Sequence, residues 1–419
     1  MRPLAVLLST LLLAGCARPS EPPPVPSIPV AAGPGAGSRL RALLDTLRGP
    51  ARVVLDEGRY VLEAVPFTDP SCGNCEDPSE TVPATRGLRL SGRGVTLEGA
   101  GADVTVVETR AGYGVLFDGC DGCVLRALTV TGGVRDPDGR ATDGGVVVRD
   151  GRVRVEECAI RDNLGDSAVV HGVIVGVGGV MVRERAEVVL RRCRILRNSW
   201  DGVALYRAAR ATVEENTIDG VDAASGARHG GGRGVGIGLT WDATATVVGN
   251  RVARYWKGIG VFVNASAEVR ENVVEDVLTW GVAYWAAGEG SPRAWIERNA
   301  VYRTGACGAS IERTTPAPAG EDPGHLVDNA FVETGRDARY DTGEPYCFQR
   351  PVARHAVPAG FEVERNLVHR ARQPGDAWPH ESVVRDRGRF EEALRPLVDA
   401  LRRHPPLLES RFLSDFGGG

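Results

Sequence analysis

Lys257 is the only lysine among the 50 basic residues of the 419-residue chain, and it stands between Trp256 and Gly258. An arginine keeps its proton in a protein, whereas a lysine beside aromatic rings and a second cation can shift towards neutrality and act as a base. Since arginine serves at every other basic position, Lys257 is the sharpest candidate for catalysis. Chance retention of a single lysine is the competing interpretation.

Aromatic residues gather around this lysine in the sequence. Six of the seven tryptophans fall between residues 200 and 295, most of them at expected turns. Flat aromatic faces beside charged and hydrogen-bonding groups suit sugar rings, although the same rings could simply pack against neighbouring loops. The candidate substrate-binding residues are Trp200, Tyr206, Arg207, Trp241, Trp256, Trp280 and Trp285.

Two long segments, residues 162–172 and 219–233, bring acidic residues and histidines towards the tryptophan turns. A lone aspartate before glycine is often only a bend residue, but the whole set favours a site. Asp201 and Asp222 could hold calcium, because that ion prefers hard oxygen ligands. The candidate catalytic residues are Lys257, Arg233, Asp201 and His229.

A repeated strand-and-turn phrase must position these residues. Val153-Arg-Val-Glu-Glu-Cys158 recurs as Val188-Val-Leu-Arg-Arg-Cys193, and later copies close with asparagine. Successive copies are 22 to 37 residues apart, which fits coils of three short strands with loops on one face. Small polar residues at such bends can bond neighbouring main-chain groups and stack into a ladder, so they are structural. The ladder residues are Cys158, Cys193, Asn216, Asn250, Asn272, Asn299, Asn329 and Asn366.

A glycine column precedes the ladder by 14 residues in several coils, and each glycine starts an apolar strand. Its members are Gly179, Gly202, Gly236 and Gly258. The same register places Trp200 and Trp256 in one column. It places Asp201, Lys257 and Trp280 in the next column.

With these columns, residues 50–370 resemble the pectin-lyase-like superfamily and, within it, bacterial right-handed β-helix repeat proteins. The resemblance implies an all-β, right-handed, single-stranded parallel β-helix of about ten coils. It also implies a groove along one sheet that takes polysaccharide. The repeat pattern is shared by enzymes and non-enzymes, so the fold alone does not give the function.

Some polysaccharide lyases of this superfamily remove the proton next to a uronate carboxylate with a lysine or arginine, while calcium or a second cation neutralises that carboxylate. By this resemblance Lys257 would be the base and Arg233 or Arg207 the neutralising cation. The polygalacturonase motifs are absent, and Asp136-Pro-Asp138 only partly matches the motif of alginate epimerases. The sequence favours a lyase-type protein for an acidic glycan; the alternative is a non-catalytic glycan- or envelope-binding surface protein.

The first residues predict export. Residues 1–16 combine a basic start, a short apolar run and small residues before Cys16, which is typical of a secretory signal. The ending Leu13-Ala14-Gly15-Cys16 resembles the bacterial lipobox, so Cys16 would be lipidated, although an ordinary signal peptide is an alternative. Residues 17–38, rich in proline and glycine, would form a tether. We expect a monomeric lipoprotein of the cell envelope, by resemblance at the outer membrane. The net charge of −4 gives no argument for nucleic acid.

Both ends of the predicted solenoid, residues 39–370, need covering, because exposed strand edges would pair with other chains. Residues 39–48 place leucines on one helical face and predict an N-terminal cap helix. Residues 389–403, within the tail 371–419, predict a second amphipathic helix. That helix could cover the other end or dock elsewhere, and the cover is the preferred interpretation.

Eight cysteines follow Cys16, an even number for an oxidising compartment. Two Cys-X-X-Cys pairs favour disulfides, with a zinc site as the alternative and a thiol redox role less favoured. Cys307 and Cys347 could bridge a late loop. The two pairs are Cys72 with Cys75 and Cys120 with Cys123.

Overall fold

The computed structural model describes residues 25–165, 168–170, 173–220, 234–286, 290–313, 318–337, 357–371 and 380–418, and it is a right-handed parallel β-helix. Within these residues no helix is long and apolar enough to span a membrane. Five candidates from the sequence lie outside the described residues. They are Cys16, Asp222, His229, Arg233 and Cys347.

The strands are short, as expected for residues that alternate between apolar and polar. In the first half of the chain they are β1 (Ser27–Val30), β2 (Ala51–Leu55), β3 (Gly58–Leu62), β4 (Val65–Asp69), β5 (Val82–Leu90), β6 (Val95–Glu98), β7 (Thr105–Thr109), β8 (Tyr113–Arg126), β9 (Thr129–Thr131), β10 (Gly144–Glu156), β11 (Ala159–Arg161), β12 (Ala168–Val170), β13 (Val173–Val175), β14 (Gly178–Arg183), β15 (Glu187–Arg191), β16 (Arg194–Leu196), β17 (Val203–Leu205), β18 (Arg210–Glu214) and β19 (Thr217–Asp219). In the second half they are β20 (Val235–Leu239), β21 (Thr244–Val248), β22 (Arg251–Ala253), β23 (Lys257–Phe262), β24 (Ser266–Arg270), β25 (Val273–Glu275), β26 (Val282–Trp285), β27 (Arg293–Glu297), β28 (Ala300–Tyr302), β29 (Ala309–Glu312), β30 (Gly324–Val327), β31 (Ala330–Val332), β32 (Glu362–Glu364) and β33 (Leu367–His369).

Most described coils contribute a strand to each of three parallel stacks, and the first two stacks are joined into one twenty-stranded sheet. We call the three stacks the first, second and third sheets. The first sheet contains β5, β14, β17, β20, β23, β26 and β29, and the second contains β2, β6, β15, β18, β21, β24, β27, β30 and β32. The strands β8 and β10 bend and serve both sheets. The third sheet is β3, β7, β9, β11, β16, β19, β22, β25, β28, β31 and β33, which makes eleven coils in the described part of the chain.

Alternation along each strand fills the interior of the solenoid. In β17, Val203 and Leu205 point inward into the main core, whereas Ala204 between them packs on the outside. Stacked coils repeat this arrangement, so that one continuous apolar column runs through the molecule.

The polar ladder predicted at the bend between the second and third sheets is confirmed. The Asn272 carboxamide oxygen accepts bonds from the N–H and the side-chain amide of Asn250, at 2.9 and 3.0 Å. Asn272 in turn donates to Asn299 at 2.9 Å. Cys158 and Cys193 continue the column as buried free thiols, and burial raises the pKa of Cys193.

The N-terminal cap helix is present as α1 (Ala36–Thr46), with Leu40 and Leu44 buried against the first coil. The tether expected for residues 17–38 needs correction at its described end. Residues 27–30 form β1, which pairs in parallel with β2 and therefore belongs to the folded body.

An insertion covers the outside of the first sheet at its N-terminal end. It contains β4, which pairs antiparallel with β5, and the disulfide Cys72–Cys75. Cys120 and Cys123 form a second disulfide at a bend. Each Cys-X-X-Cys pair is therefore closed on itself, and the zinc alternative is wrong. Cys307 is also disulfide-bonded.

The C-terminal helices α2 (Arg387–Leu401) and α3 (Arg411–Phe416) pack on the outer face of the third sheet. The Phe412 N–H donates to Glu275 at 3.2 Å, and the Tyr302 hydroxyl donates to Asp415 at 2.7 Å. The preferred expectation of a cover over the open end is corrected, because these helices dock on apolar outward residues of several coils. Those residues include Val273, Ala300, Ala330 and Val332.

Candidate functional site

One edge of the first sheet carries Asp201, Lys257 and Trp280 in a single column, in which Val235 lies between Asp201 and Lys257. Val203 pairs with Ile237, so Asp201 two residues earlier lies opposite Val235. Val235 pairs with Lys257 in the next coil. Ile259 pairs with Val282, so Trp280 lies opposite Lys257 one coil further on. Asp201 and Lys257 are thus two coils apart, a separation of about 10 Å along the solenoid.

Lys257 begins β23, and its ammonium lies among four aromatic rings. Its Nζ is 4.6 Å from the ring centroid of Trp256, 5.0 Å from Trp285, 5.4 Å from Trp280 and 5.8 Å from Phe262. The negative faces of aromatic rings attract a cation, but an apolar enclosure also removes water from it. Burial therefore lowers the pKa of Lys257.

Asp201 is almost completely buried and lies at the same edge. Its carboxyl accepts the N–H of Val235 at 2.6 Å and the hydroxyl of Tyr206. Burial raises the pKa of Asp201 to about 7, while the Val235 bond, the Lys257 charge and the Tyr206 bond oppose that rise. The Asp201 charge in turn raises the pKa of Lys257 against the effect of burial.

The pKa of Lys257 is lowered and the pKa of Asp201 is raised, so the two values lie closer together than in free lysine and aspartate. A lysine with a lowered pKa can present a neutral amine, and a carboxyl with a raised pKa can keep its proton near neutral pH. Opposite shifts of neighbouring groups are the usual arrangement for general acid and base catalysis, although structural ion pairs also shift pKa values. These shifts make Asp201 the candidate acid and Lys257 the candidate base of the site.

The sequence matches the family described as "Right handed beta helix region" over residues 85–301, more than half of the chain. This chain belongs to the right-handed β-helix family. A comparison with curated proteins finds no match.

Solved structures that are similar to this chain include enzymes and an adhesin. The pectate lyase Pel9A is 12% identical, with a TM-score of 0.44, and the match covers 86% of this β-helix and 82% of that chain. The A-module of Azotobacter vinelandii mannuronan C-5 epimerase AlgE6 is 14% identical, with a TM-score of 0.36 and coverage of 80% and 95%. The Streptococcus pneumoniae surface adhesin PfbA is 8% identical, with a TM-score of 0.44 and coverage of 68% and 70%.

Arg207 does not have the free guanidinium that a neutralising cation would need. It forms an ion pair with Glu184 and donates to the carbonyls of Gly73 and Cys75 in the disulfide loop. Its guanidinium also lies 5.9 Å from the Trp241 ring. The role expected for Arg207 is therefore corrected, because this β-helix uses the side chain to hold the insertion on the first sheet.

The predicted aromatic residues divide into two groups. Trp200 and Tyr206 are buried in the outer apolar cluster under the insertion, and the Trp241 ring is 5.5 Å from Tyr206. Trp256 is half-buried beside Lys257. Trp280 and Trp285 contact each other edge to face at 4.8 Å. The second group, with Trp256, is the one that surrounds the candidate base.

Asp201 is the described member of the expected calcium pair. Its carboxyl already accepts two hydrogen bonds, and its raised pKa disfavours the ionised form that calcium requires. Within the described ranges, no cluster of three or more His, Cys, Asp or Glu residues could hold a metal. The described residues therefore do not fit a calcium site.

Sequence reasoning missed Phe262, which closes the box around Lys257, and the glycines Gly238 and Gly260 on the outer face of the first sheet. The coil register holds the signal, because Phe262 ends β23 at the position that Trp285 occupies in the next coil. Reading both ends of every strand in register would have found it.

A separate groove of about 660 Å³ crosses the outside of the second sheet. It is lined by polar outward residues such as Arg154, Thr212, Thr246 and Glu268, with Trp295 at one end. The Trp295 indole N–H is bonded to Asp322 at 2.8 Å. This groove lies on a different sheet from Lys257.

Proposed function

We propose that this β-helix acts on an acidic glycan by a lyase-type β-elimination in which Lys257 is the base. The main support for this proposal is that the Lys257 ammonium lies among four aromatic rings, with Asp201 on the same edge of the first sheet. The box supplies two things that such a reaction needs. It lowers the proton affinity of the lysine, and it offers aromatic faces to a sugar ring.

The proposed reaction uses the chain's own residues. Neutral Lys257 takes the proton from the carbon next to a uronate carboxylate. The electrons of that C–H bond form a carbon–carbon double bond as the C–O bond to the leaving sugar breaks. The leaving oxygen takes its proton from Asp201, which Tyr206 holds in place. Arg233, outside the described residues, remains the proposed cation for the substrate carboxylate.

Release of unsaturated sugar from a panel of uronate polymers tests this proposal. The wild-type protein is expected to produce it, and Lys257→Ala is expected to lose about two to four orders of magnitude in rate, as for removal of a general base. Lys257→Arg keeps the positive charge but gives up its proton far less readily than lysine, so it is expected to lose most of the activity. Full activity in Lys257→Arg would contradict the base role.

Non-catalytic glycan binding is the second candidate, and the commitment of Arg207 to Glu184 favours it, because one expected neutralising cation is unavailable. In that case no polymer yields unsaturated product. Trp256→Ala would weaken oligosaccharide binding, whereas Lys257→Arg would preserve it. Calorimetric titration of both variants with uronate oligosaccharides separates the two candidates.

We also propose that the protein is a lipoprotein of the cell envelope, anchored through Cys16. The support is the lipobox-like ending of residues 1–16. Metabolic labelling with palmitate is expected to mark the wild-type chain and not Cys16→Ser. Equal labelling of both would contradict the anchor.

A further inference from the structure

The loop between β9 and β10, residues 132–143, contains two aspartates whose carboxyls meet inside the protein. Asp136 is 3% exposed and Asp143 is fully buried. The Asp136 N–H donates to Asp143 Oδ2 at 2.9 Å, and the two side chains are hydrogen-bonded to each other. A Cβ added to Gly112 would lie 2.2 Å from Asp143 Oδ1 and 2.3 Å from Asp136 Oδ2. Glycine at position 112 therefore leaves room for two carboxyls side by side.

The hydrogen-bond donors around the two carboxyls are unequally divided. Thr85 on β5 donates its N–H and its hydroxyl to Asp136, at 2.8 and 2.6 Å. Asp143 Oδ1, by contrast, has no donor among the described residues. A hydrogen bond between two carboxyls needs a proton on one of them, because ionised carboxylates only accept. Asp136 already has the donors that suit an ionised group, so Asp143 is the carboxyl that holds the proton.

The balance of charge around the pair leads to the same assignment. Among the described residues, Arg135 is the charged side chain that faces the pair, with Nη1 3.5 Å from Asp143 Oδ2. Two ionised carboxylates beside one buried guanidinium would leave a net negative charge away from water, whereas one retained proton balances the group. Burial and the Asp136 charge raise the pKa of Asp143 well above its ordinary value, against the Asp136 N–H bond and the Arg135 charge.

The loop that contains the pair also holds the disulfide loop, residues 71–75. The Arg140 carbonyl accepts the N–H groups of Gly73 and Asn74, at 3.0 and 3.2 Å. The Asn74 carboxamide donates to two further carbonyls of the same loop, at 2.9 and 2.6 Å. The disulfide loop is therefore bonded to the stretch of chain that lies between Asp136 and Asp143.

We propose that Asp136 and Asp143 form a pH-sensitive latch, which holds the disulfide loop over the first sheet while the two carboxyls share one proton. When that proton passes to solvent water, two negative charges lie side by side in a buried place. Their repulsion separates the carboxyls and moves the Arg140 carbonyl away from the disulfide loop. The latch involves neither Lys257 nor Asp201, so it is independent of the proposed elimination.

The loosening is expected to be local. The pairing of β4 with β5 and the bond from Arg149 to Asp69 do not involve the two carboxyls. These contacts keep the rest of the insertion in place when the latch opens. Ionisation of the pair therefore releases the two loops without unfolding the solenoid.

Hydrogen exchange of the full chain at several pH values tests the latch. Protection of the Gly73 and Asn74 amides, corrected for the intrinsic exchange rate, is expected to fall as pH rises, by up to about tenfold per pH unit for one linked proton. Asp143→Asn keeps a donor to Asp136 but cannot ionise, so its protection is expected to be independent of pH. Protection that is independent of pH in the wild type, or that falls equally in Asp143→Asn, would overturn the proposal.

Asp138→Asn is the matched control, because Asp138 belongs to the same loop. Hydrogen bonding to Arg140 lowers the pKa of Asp138, so this carboxyl is already ionised where the latch opens. The control is expected to keep the wild-type fall of protection with rising pH. Loss of that trend in Asp138→Asn would overturn the assignment to Asp136 and Asp143.

Infrared spectroscopy detects the shared proton itself. The wild type is expected to show a protonated carboxyl band at neutral pH that is missing from Asp143→Asn. A difference spectrum without this band would overturn the proposal, even if the variant were less stable than the wild type.

Discussion

At the scale of the residue, Lys257 is subject to two opposing effects. Removal of water lowers its pKa, and the Asp201 carboxylate raises it again. The aromatic rings hold the ammonium by cation–π attraction while they exclude water from it. A lysine that is held in this way has a fixed position and a reduced proton affinity, which are the two requirements for a positioned base.

The pH dependence of elimination follows from these groups. As pH rises, Lys257 loses its proton and becomes a base, so the rate increases. Asp201 acts as the acid only while it keeps its proton, and its pKa is raised to about 7, so the rate cannot keep rising with pH. We expect a bell-shaped profile of kcat/KM. A profile that rises without an alkaline fall would contradict the acid role of Asp201.

The pH dependence of folding stability should also reflect the Asp201 carboxyl. The pKa of Asp201 is raised to about 7 on folding, so its contribution is fully present below the unfolded pKa and is lost as pH rises through about 7. Compared with Asp201→Asn, the wild type should lose up to about 1.4 kcal/mol of unfolding free energy per pH unit in this range. Chemical denaturation at several pH values measures the difference.

Asp103→Asn is the matched control for that experiment. Hydrogen bonding and charge from Arg194 lower the pKa of Asp103, so its contribution is present above the unfolded pKa and is lost as pH falls. Because Asp103 is exposed to solvent, its effect on the pH dependence of stability is expected to be small and opposite in sign to that of Asp201. Parallel trends would show that Asp201 is not the group with the raised pKa.

At the scale of the element, the asparagine ladder fixes the coil register on which the site depends. Asn272→Ala would remove bonds to Asn299 and Val247 and leave the Asn250 N–H without its acceptor. We expect a loss of about 3 kcal/mol in unfolding free energy, since a buried unsatisfied group adds to the lost bonds. Denaturant unfolding measures it. Thr246→Ala, outside the ladder, is expected to change stability little, and an equal loss there would contradict the ladder's role.

Much of the fold could be predicted from the sequence, because the column from Cys158 to Asn366 is periodic. Each coil contributes one small polar residue or cysteine to it. The columns also placed Asp201 and Lys257 on one edge. The coil register places Glu184 next to Arg207, but the contact of Arg207 with the loop at Cys75 could not be predicted, because that loop is distant in sequence. Ring contacts on the outside of the first sheet depend on side-chain directions that periodicity does not specify.

At the scale of the whole molecule, the solenoid is thickened on two sides. The insertion that contains Cys72–Cys75 covers the N-terminal part of the first sheet, and α2 and α3 cover the third sheet. Lys257 and the aromatic rings around it lie on the first sheet, further along the solenoid than the insertion. Within the described residues, the outside of the second sheet carries neither covering.

The docking of the C-terminal helices should stabilise the body without touching the site. Phe412 is fully buried and its ring lies 6.0 Å from that of Tyr302. We expect Phe412→Ala to lower the unfolding free energy by about 3–5 kcal/mol. Oligosaccharide affinity measured well below Tm should be unchanged. A marked loss of affinity in the folded variant would contradict the separation between helices and site.

The proton affinity of Lys257 is the central claim, and the chain offers a direct measurement of it. Because Lys257 is the only lysine, the protein labelled with ¹³C-lysine gives a single side-chain signal that can be titrated by NMR without assignment. The account predicts a pKa below the ordinary value, lowered further in Asp201→Asn because the neighbouring charge is removed. An ordinary pKa that does not respond to Asp201→Asn would contradict the account.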